Sequence, residues 1–335
     1  MFNNKTILVT GGTGSFGREF ISFIMKNYKS VKKVIVFSRD ELKQHEMKLK
    51  LDSKILEKIR FFIGDIRDKN RLIHAFNDVD IVIHAAALKQ VTTAEYNPFE
   101  FINTNVIGAQ NIVESAINCN VKNVIALSTD KAASPINLYG ATKLCSDKIF
   151  SAANNFVGKK KIKFTIVRYG NVFASRGSVI PLFDHYSKNY NYLPITDPDM
   201  TRFNLSLNEA IKFVILALKK AKGGEIFVPK IPSYRILDLA DAFDKDIKKK
   251  FIGIRPGEKL HEELISEADS HNTFEFKNYF AILPSSYNDR IFREKYKSYK
   301  FKNKVKKNFS YTSKNNKIFL TKNQLQKIIK LYQLK

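Results

Sequence analysis

The sequence predicts a doubly wound α/β protein: a parallel sheet with helices on both faces, followed by a smaller C-terminal lobe. Three observations carry this. Short β-branched runs alternate with segments of helical spacing through the first half of the chain. The runs are continuous and apolar, not alternating. A glycine-rich turn joins the first run to the first helical segment. Strand–helix alternation implies parallel strands linked by crossover helices. Strands buried on both faces read as unbroken apolar runs.

The predicted strands are 6–10, 34–37, 60–63, 81–84, 124–128 and 164–168, with helical spacing at 16–26 and 109–117 between them. Beyond residue 172 the pattern loosens. Pro181, Pro194, Pro198, Pro229 and Pro232 punctuate it, and helical patches remain at 207–220 and 236–243. Residues 1–172 are read as a nucleotide-binding domain. Residues 173–285 are read as a substrate lobe, some of whose strands and helices return to the core. Residues 286–335 form a basic extension that ends in a helix. Thr321 and Gln324 fit a capping box there, and Leu325, Ile328 and Ile329 follow at helical spacing.

Composition is ordinary for a globular chain, with 44% hydrophobic and 27% charged residues. The first residues run straight into a strand pattern and predict no secretory signal. No apolar run nears the roughly 18 residues of a membrane helix. Cys119 and Cys145 lack metal-ligand spacing, so no metal site and a reduced, cytoplasmic compartment are expected. The net charge of +25 is unusual. From Arg290 to Lys335 the only acidic residue is Glu294, with Tyr296, Tyr299, Phe301, Phe309 and Tyr311 interleaved. No nucleic-acid motif accompanies them, so a solvated basic surface is the reading, without a nucleic-acid partner.

The glycine-rich turn reads Gly11-Gly12-Thr13-Gly14-Ser15-Phe16-Gly17. Glycines at 11, 14 and 17 form a variant of the dinucleotide fingerprint. The first permits the tight turn, the second lets the backbone approach a pyrophosphate, and the third lets helix and sheet pack closely. The free N–H groups of the following helix then face the phosphates. Strand two ends in Ser38-Arg39-Asp40, with Lys43 nearby. Ser38 and Arg39 suit the 2′-phosphate of NADP, whereas Asp40 argues for NAD if it turns inward. Asp65 after strand three suits the adenine amine, or simply a turn.

Strand five ends in Ser128-Thr129-Asp130-Lys131, and Tyr139-Gly140-Ala141-Thr142-Lys143 follows. Tyr139 and Lys143 share one helical face. A lysine ammonium beside a phenol lowers its pKa from about 10. The phenolate can then accept a proton from a hydroxyl as hydride leaves the same carbon. His84, at a strand end, is read as a packed core histidine, and Cys145 as small-residue packing beside the Tyr–Lys helix.

These residues resemble the extended short-chain dehydrogenase/reductases, with a Rossmann-type core. More closely, the chain resembles the inverting UDP-N-acetylglucosamine 4,6-dehydratases of pseudaminic acid biosynthesis. The match runs over roughly residues 5–285, through 10–16, 38–43, 84–89, 128–132, 137–148, 168–179, 225–233 and 252–261. Asp130-Lys131 is the telling pair, because retaining sugar-nucleotide dehydratases carry Asp-Glu at this place.

The resemblance implies a UDP-N-acetylhexosamine substrate and a tightly bound NADP recycled in each turnover. Tyr139, with Lys143, removes the 4-OH proton. Lys131 as a neutral amine takes the C5 proton, Asp130 as an acid protonates the departing 6-OH, and Thr129 bonds the 4-oxygen. The product is UDP-2-acetamido-2,6-dideoxy-β-L-arabino-hex-4-ulose. A neutral Lys131 needs a desolvated or cationic site. The candidate cofactor contacts also include Glu41, Leu42, Ile66 and Ala86. Candidate substrate contacts are Ala85, Lys89, Asn171, Val172, Arg176, Gly177, Ser178, Val179 and Thr196. Arg255 joins them as a diphosphate partner beside Arg176, and Glu258 as a ribose partner. The resemblance also implies a homo-oligomer, with a hexamer among the forms it allows. The alternatives are another UDP-sugar dehydratase or epimerase, and a non-catalytic NADP-binding regulator on the same fold.

Overall fold

The computed structural model describes residues 1–173, 179–284, 294–299 and 303–333. Strands β1 (Thr6–Thr10), β2 (Lys33–Ser38), β3 (Ile59–Ile63), β4 (Ile81–His84), β5 (Asn123–Thr129) and β6 (Lys163–Tyr169) are all parallel, in the order β3-β2-β1-β4-β5-β6. The order reverses between β1 and β4. The chain leaving those two strands therefore parts, and a crevice opens at their carboxyl ends. β1 and β4 are buried along their whole length, as unbroken apolar runs require. β3 lies at the sheet edge, and there Arg60 and Ile63 face outward.

The helices follow from their apolar spacing. Ser15–Asn27 buries Gly17, Phe20, Ile21 and Ile24 on one stripe and contacts Leu207–Lys220. Gly108–Asn118 packs between Lys69–Phe76 and Leu138–Ala153.

The chain beyond β6 serves two layers. It forms β7 (Tyr192–Ile195), β8 (Thr201–Phe203), β9 (Ile226–Pro229), β10 (Ser233–Arg235), β11 (Lys248–Phe251), β12 (Glu263–Ile265), β13 (Thr273–Glu275), β14 (Tyr279–Ile282), β15 (Asn303–Lys304) and β16 (Tyr311–Thr312). β9 returns beside β6 in parallel, and β14, β13 and β15 extend the sheet antiparallel. The pairs β7–β11 and β8–β10 belong to a smaller lobe. A separate apolar cluster holds that lobe, including Ile180, Phe183, Leu193, Met200, Leu239, Leu325 and Ile329.

The basic C-terminal segment is woven into both layers. β15 pairs with β13, β16 pairs with β12, and the helix Lys322–Gln333 packs on Ile236–Phe243. The expected capping box forms: the Thr321 amide donates to Gln324 Oε1 at 2.9 Å, and the Gln324 amide donates to Thr321 Oγ1 at 3.3 Å. Tyr296, Tyr299 and Tyr311 are buried. The Tyr296 hydroxyl donates to the Gly223 carbonyl at 2.5 Å, and that of Tyr299 donates to the buried Glu225 carboxylate. Phe301 lies outside the described residues. Among the described residues, no helix is long and apolar enough to cross a membrane.

Leu325 is fully buried in the lobe cluster. Leu325→Ala should cost about 2–5 kcal/mol, as core Leu truncations do, read as a lowered urea midpoint at unchanged slope. A loss under about 1 kcal/mol would mean that the last helix lies outside the cooperative unit.

Candidate active site

The cradle after β1 is shaped by what glycine leaves out. Gly11 has φ +64°, and a Cβ on it would stand 2.9 Å from the Ala86 backbone. The loops after β1 and β4 can therefore touch only at a glycine. A Cβ on Gly17 would lie 2.6 Å from Gly12 Cα, so the helix starts hard against the turn. Gly14 would meet only the Gly11 carbonyl, at 3.2 Å. The first-turn amides of the helix have no intrahelical acceptor, and they carry the positive end of its dipole.

Beside the cradle runs a cleft of about 650 Å³. Most predicted positions line it: Gly11, Thr13, Gly14, Ser15, Phe16 and Gly17; Ser38, Arg39, Asp40 and Lys43; Asp65 and Ile66; Ala85, Ala86 and Lys89; Thr129, Lys131, Tyr139 and Lys143; Asn171 and Val172. Glu41 and Leu42 begin the helix Glu41–Leu49 outside the lining, and Leu42 is exposed. Asp40 caps that helix. The Lys43 amide donates to its Oδ1 at 2.9 Å and the Lys43 ammonium pairs with its other oxygen. The two Lys43 contacts hold its carboxyl below the usual range. Burial would raise Asp65, but bonds from Arg67 outweigh it, at 3.0 Å to Oδ1 from the amide and 2.7 Å to Oδ2 from Nη2. Arg39 stands 3.6 Å from Asp65 Oδ2, with about half of its side chain exposed.

At the end of β5 a 3₁₀ turn, Asp130–Ala132, carries the central charges. Asp130 is fully buried. Its Oδ1 accepts from the Thr129 hydroxyl at 2.9 Å and from the Lys131 ammonium at 3.0 Å. Lys131 also donates to Glu262 Oε1 at 3.1 Å, and Arg202 Nε stands 3.6 Å from that same oxygen. Burial, then the Glu262 charge, push the Asp130 carboxyl above its ordinary value despite the pull of Lys131. Burial would likewise raise Glu262, but Lys131 and Arg202 prevail and keep it ionised. For Lys131, burial favours the amine, yet Asp130 and Glu262 outweigh it and hold the ammonium. At rest Lys131 is therefore an ammonium between two buried carboxylates, with Arg202 beyond them, and it can act as a base only after losing its proton.

The helix Leu138–Ala153 starts tight on this turn. A Cβ on Gly140 would overlap the Lys131 carbonyl. Asn137 caps the helix, accepting from the Gly140 amide at 2.7 Å, and donates to the Gly257 carbonyl at 2.7 Å. Tyr139 is buried, and burial pushes its phenol up to about 12, although Lys131 and the Thr129 hydroxyl pull it down. The Lys143 ammonium, one turn along the helix, donates to the Leu127 carbonyl at 2.8 Å.

A second buried group braces the helix. Asp147 Oδ2 accepts from the Ser128 hydroxyl at 2.7 Å and from Arg168 Nη2 at 3.1 Å, and Arg168 Nη1 reaches the Leu264 carbonyl at 3.2 Å. One clamp thus ties β5, β6, β12 and the helix. His84 packs as expected. Its Nδ1 lies 2.9 Å from Thr10 Oγ1, and burial lowers it to about 3, so it is neutral. Cys145 is exposed, contrary to the packing expected of it, because it sits on the outer face of its helix.

Among the outer candidates, Lys89 lies at the cleft, where desolvation and then the Lys131 charge lower its pKa. Its loop is pinned by Asn105, which bonds the Leu88 amide and carbonyl, each at 2.9 Å. Arg176, Gly177 and Ser178 lie outside the described residues. Val179 and Thr196 do not line the cleft. Nor do Arg255 and Glu258, which pair with each other at 3.1 Å, and Glu258 also meets Arg202 at 3.2 Å. Sequence reasoning missed Asn105, Asp147, Arg202 and Glu262. No local signal marked them: Arg202 lies within β8, Glu262 beside Glu263 at the head of β12, and Asn105 and Asp147 in helical segments.

Comparison with known proteins identifies the family. The family model described as "Polysaccharide biosynthesis protein" matches residues 7–284. A Campylobacter jejuni protein named UDP-N-acetylglucosamine 4,6-dehydratase (inverting) is 52% identical over 98% of each chain. A Rickettsia bellii protein named UDP-glucose 4-epimerase is 46% identical over 84% of each. The X-ray structure of Pen from Bacillus thuringiensis is similar at TM-score 0.87 and 37% identity, covering 98% of this chain and 99% of that one. The parallel sheet, the glycine cradle and these matches together mean that the chain belongs to the polysaccharide biosynthesis protein family, within the extended short-chain dehydrogenase/reductases.

Proposed function

We propose that this protein is a UDP-N-acetylglucosamine 4,6-dehydratase that inverts C5 and holds NADP. The carrying observation is the Asp130–Lys131 pair beside Tyr139: a raised carboxyl 3.0 Å from an ammonium. Removing water across C5–C6 needs an acid and a base beyond the group that serves C4.

The glycine cradle fits a pyrophosphate, since a Cβ at Gly11 or Gly17 would collide with backbone and one at Gly14 would press on the Gly11 carbonyl. The nicotinamide, when bound, supplies hydride uptake from C4 and hydride return at C6. Arg39 and Ser38 suit a 2′-phosphate, and Asp40 is committed to Lys43 instead of a ribose hydroxyl.

Tyr139 takes the 4-OH proton, and bonding to Thr129 helps it ionise. The 4-ketone then acidifies C5–H. Lys131 becomes an amine by passing its proton to Asp130, and this one transfer makes both the base and the acid. Lys131 accepts the C5 proton and the C5–H electron pair becomes the C5=C6 bond. The C6–O bond breaks, and the oxygen leaves as water with the proton from Asp130. A proton returned to C5 from the opposite face gives the L-arabino configuration. The resemblance further supports a cytoplasmic homo-oligomer that feeds nonulosonic acid and surface-glycan synthesis. A second reading, 4-epimerisation, has the name of the Rickettsia bellii relative in its favour.

In deuterated water with UDP-N-acetylglucosamine, proton NMR should show a 4-keto-6-deoxy sugar with deuterium at C5 and the L-arabino configuration. A 4-epimer without C5 deuterium would establish the second reading, and a D-xylo product would remove inversion.

Asp130→Asn should slow turnover by about 10²–10⁴, the usual contribution of a general acid. Reduced cofactor should still appear, read by near-ultraviolet absorbance. The acid and the base are made from the one proton that Lys131 passes to Asp130, and both groups are raised above their ordinary values. Wild-type elimination should therefore fall once the pH is high enough to strip that shared proton, and the asparagine variant should lack this limb.

Arg39→Met should weaken NADP binding about tenfold, or roughly 1.4 kcal/mol, and leave NAD within about twofold. Equal weakening of both cofactors in a fluorescence titration would move phosphate selection elsewhere.

A further inference from the structure

We propose that Glu262, buried on the far side of Lys131, is a positioning residue for the elimination step, and that residues 311–313 of the C-terminal segment hold it in place. The inference rests on the dehydratase reading above.

The geometry is a chain of charges. Lys131 Nζ lies 3.0 Å from Asp130 Oδ1 and 3.1 Å from Glu262 Oε1. Both carboxyls are out of water, Asp130 at 0% and Glu262 at 2% exposure. Asp130 Oδ2 and Glu262 Oε2 are buried with no hydrogen-bond partner. Two carboxylates thus converge on one ammonium, each with a bare oxygen. Two adjacent buried anions repel, so a proton on one of them is favoured. Arg202 Nε, 3.6 Å from Glu262 Oε1, fixes which one stays ionised. Lys259 adds positive charge toward Glu262. Tyr139 and Tyr234 also face the group, and burial pushes both phenols up to about 12, so they stay neutral at rest.

Glu262 therefore fixes the Lys131 ammonium against Asp130, with 3.1 Å on one side and 3.0 Å on the other, in place for the proton transfer to Asp130 that the departing 6-oxygen needs. Without the Glu262 charge, Lys131 loses one of the two carboxylates that fix its ammonium, and the transfer that makes the base and the acid starts from a looser geometry.

The C-terminal segment holds this group. The Glu262 amide donates to Ser313 Oγ at 2.9 Å, and the Ser313 amide donates to the Glu262 carbonyl at 2.8 Å. Ser313 is fully buried and lies 2.7 Å from Thr201 Oγ1, beside Arg202. Tyr311, in β16, locks to Ile231: its hydroxyl donates to the carbonyl at 2.9 Å and accepts from the amide at 3.0 Å. The basic tail thereby acts on the reaction through Glu262.

The test uses the full-length holoenzyme with UDP-N-acetylglucosamine in single turnover. Reduced cofactor is followed by absorbance, and C5 deuterium and product by NMR. In Glu262→Gln, C4 oxidation should stay within about twofold while elimination falls about 100-fold, the scale of a lost general acid. Reduced cofactor should then accumulate, and the pH optimum for elimination should move down. Glu262→Asp should restore part of the rate, and Ser313→Ala should slow the same step less. Equal loss of both steps in Glu262→Gln and Glu262→Asp, with a lowered melting temperature, would make Glu262 merely structural. Wild-type rates and pH profile in Glu262→Gln would overturn the proposal outright. If the wild type forms no 4-keto-6-deoxy sugar, the dehydratase reading fails first and this one falls with it.

Discussion

Asp130, Lys131, Glu262 and Arg202 are packed largely out of water within ion-pair reach of one another. Moving a single charge from water into a protein costs several kcal/mol, and such groups survive only when paired and well oriented. Here two positive and two negative side chains balance. They come from the turn after β5, from β8 and from the head of β12, so the elements must meet correctly for the set to be tolerated. Apolar residues of similar volume are often at least as stabilising as a buried ion pair. The arrangement is therefore better explained by chemistry than by stability.

The scaffold follows from that requirement. The switch between β1 and β4 opens a crevice above the sheet. The glycine cradle stands on one side of it, and the β5 turn with the helix Leu138–Ala153 on the other. Arg168 and Asp147 then tie β5, β6 and β12 to that helix through buried bonds. Removing one partner from such a clamp leaves an uncompensated buried charge. β12 is outside the large sheet, so its register depends on this clamp and on β16.

What the sequence made legible was local. The unbroken apolar runs marked the strands, the glycine spacing marked the cradle, and Tyr139 with Lys143 fell on one helical face. Each signal lies within a window of a few residues, where period and turn chemistry act directly. Glu262 was not legible, because its partners are 131 residues upstream and 51 downstream in the chain. A glutamate in a charged stretch reads as a solvated residue until tertiary contacts are known. Tyr296, Tyr299 and Tyr311 sat in a lysine-rich run that read as a surface, and only the fold shows them as anchors. The resting charge of Lys131 was not legible for the same reason: Asp130 precedes it in the chain, but Glu262 is 131 residues away.

The same charge set bears on why dehydration fits better than epimerisation. Inverting C4 requires a hydride to leave and return and one proton to move, for which Tyr139 is sufficient. A buried carboxyl held toward its protonated form, next to a lysine, has no part in that cycle. Expelling an oxygen from C6 does need it, because hydroxide is a poor leaving group and must depart as water. Taking the C5 proton needs a base beside that acid, and Lys131 lies 3.0 Å from Asp130. Supplying both from one internal proton transfer keeps the net charge of the buried set unchanged during the step. That matters most where little water is present to reorganise around a new charge.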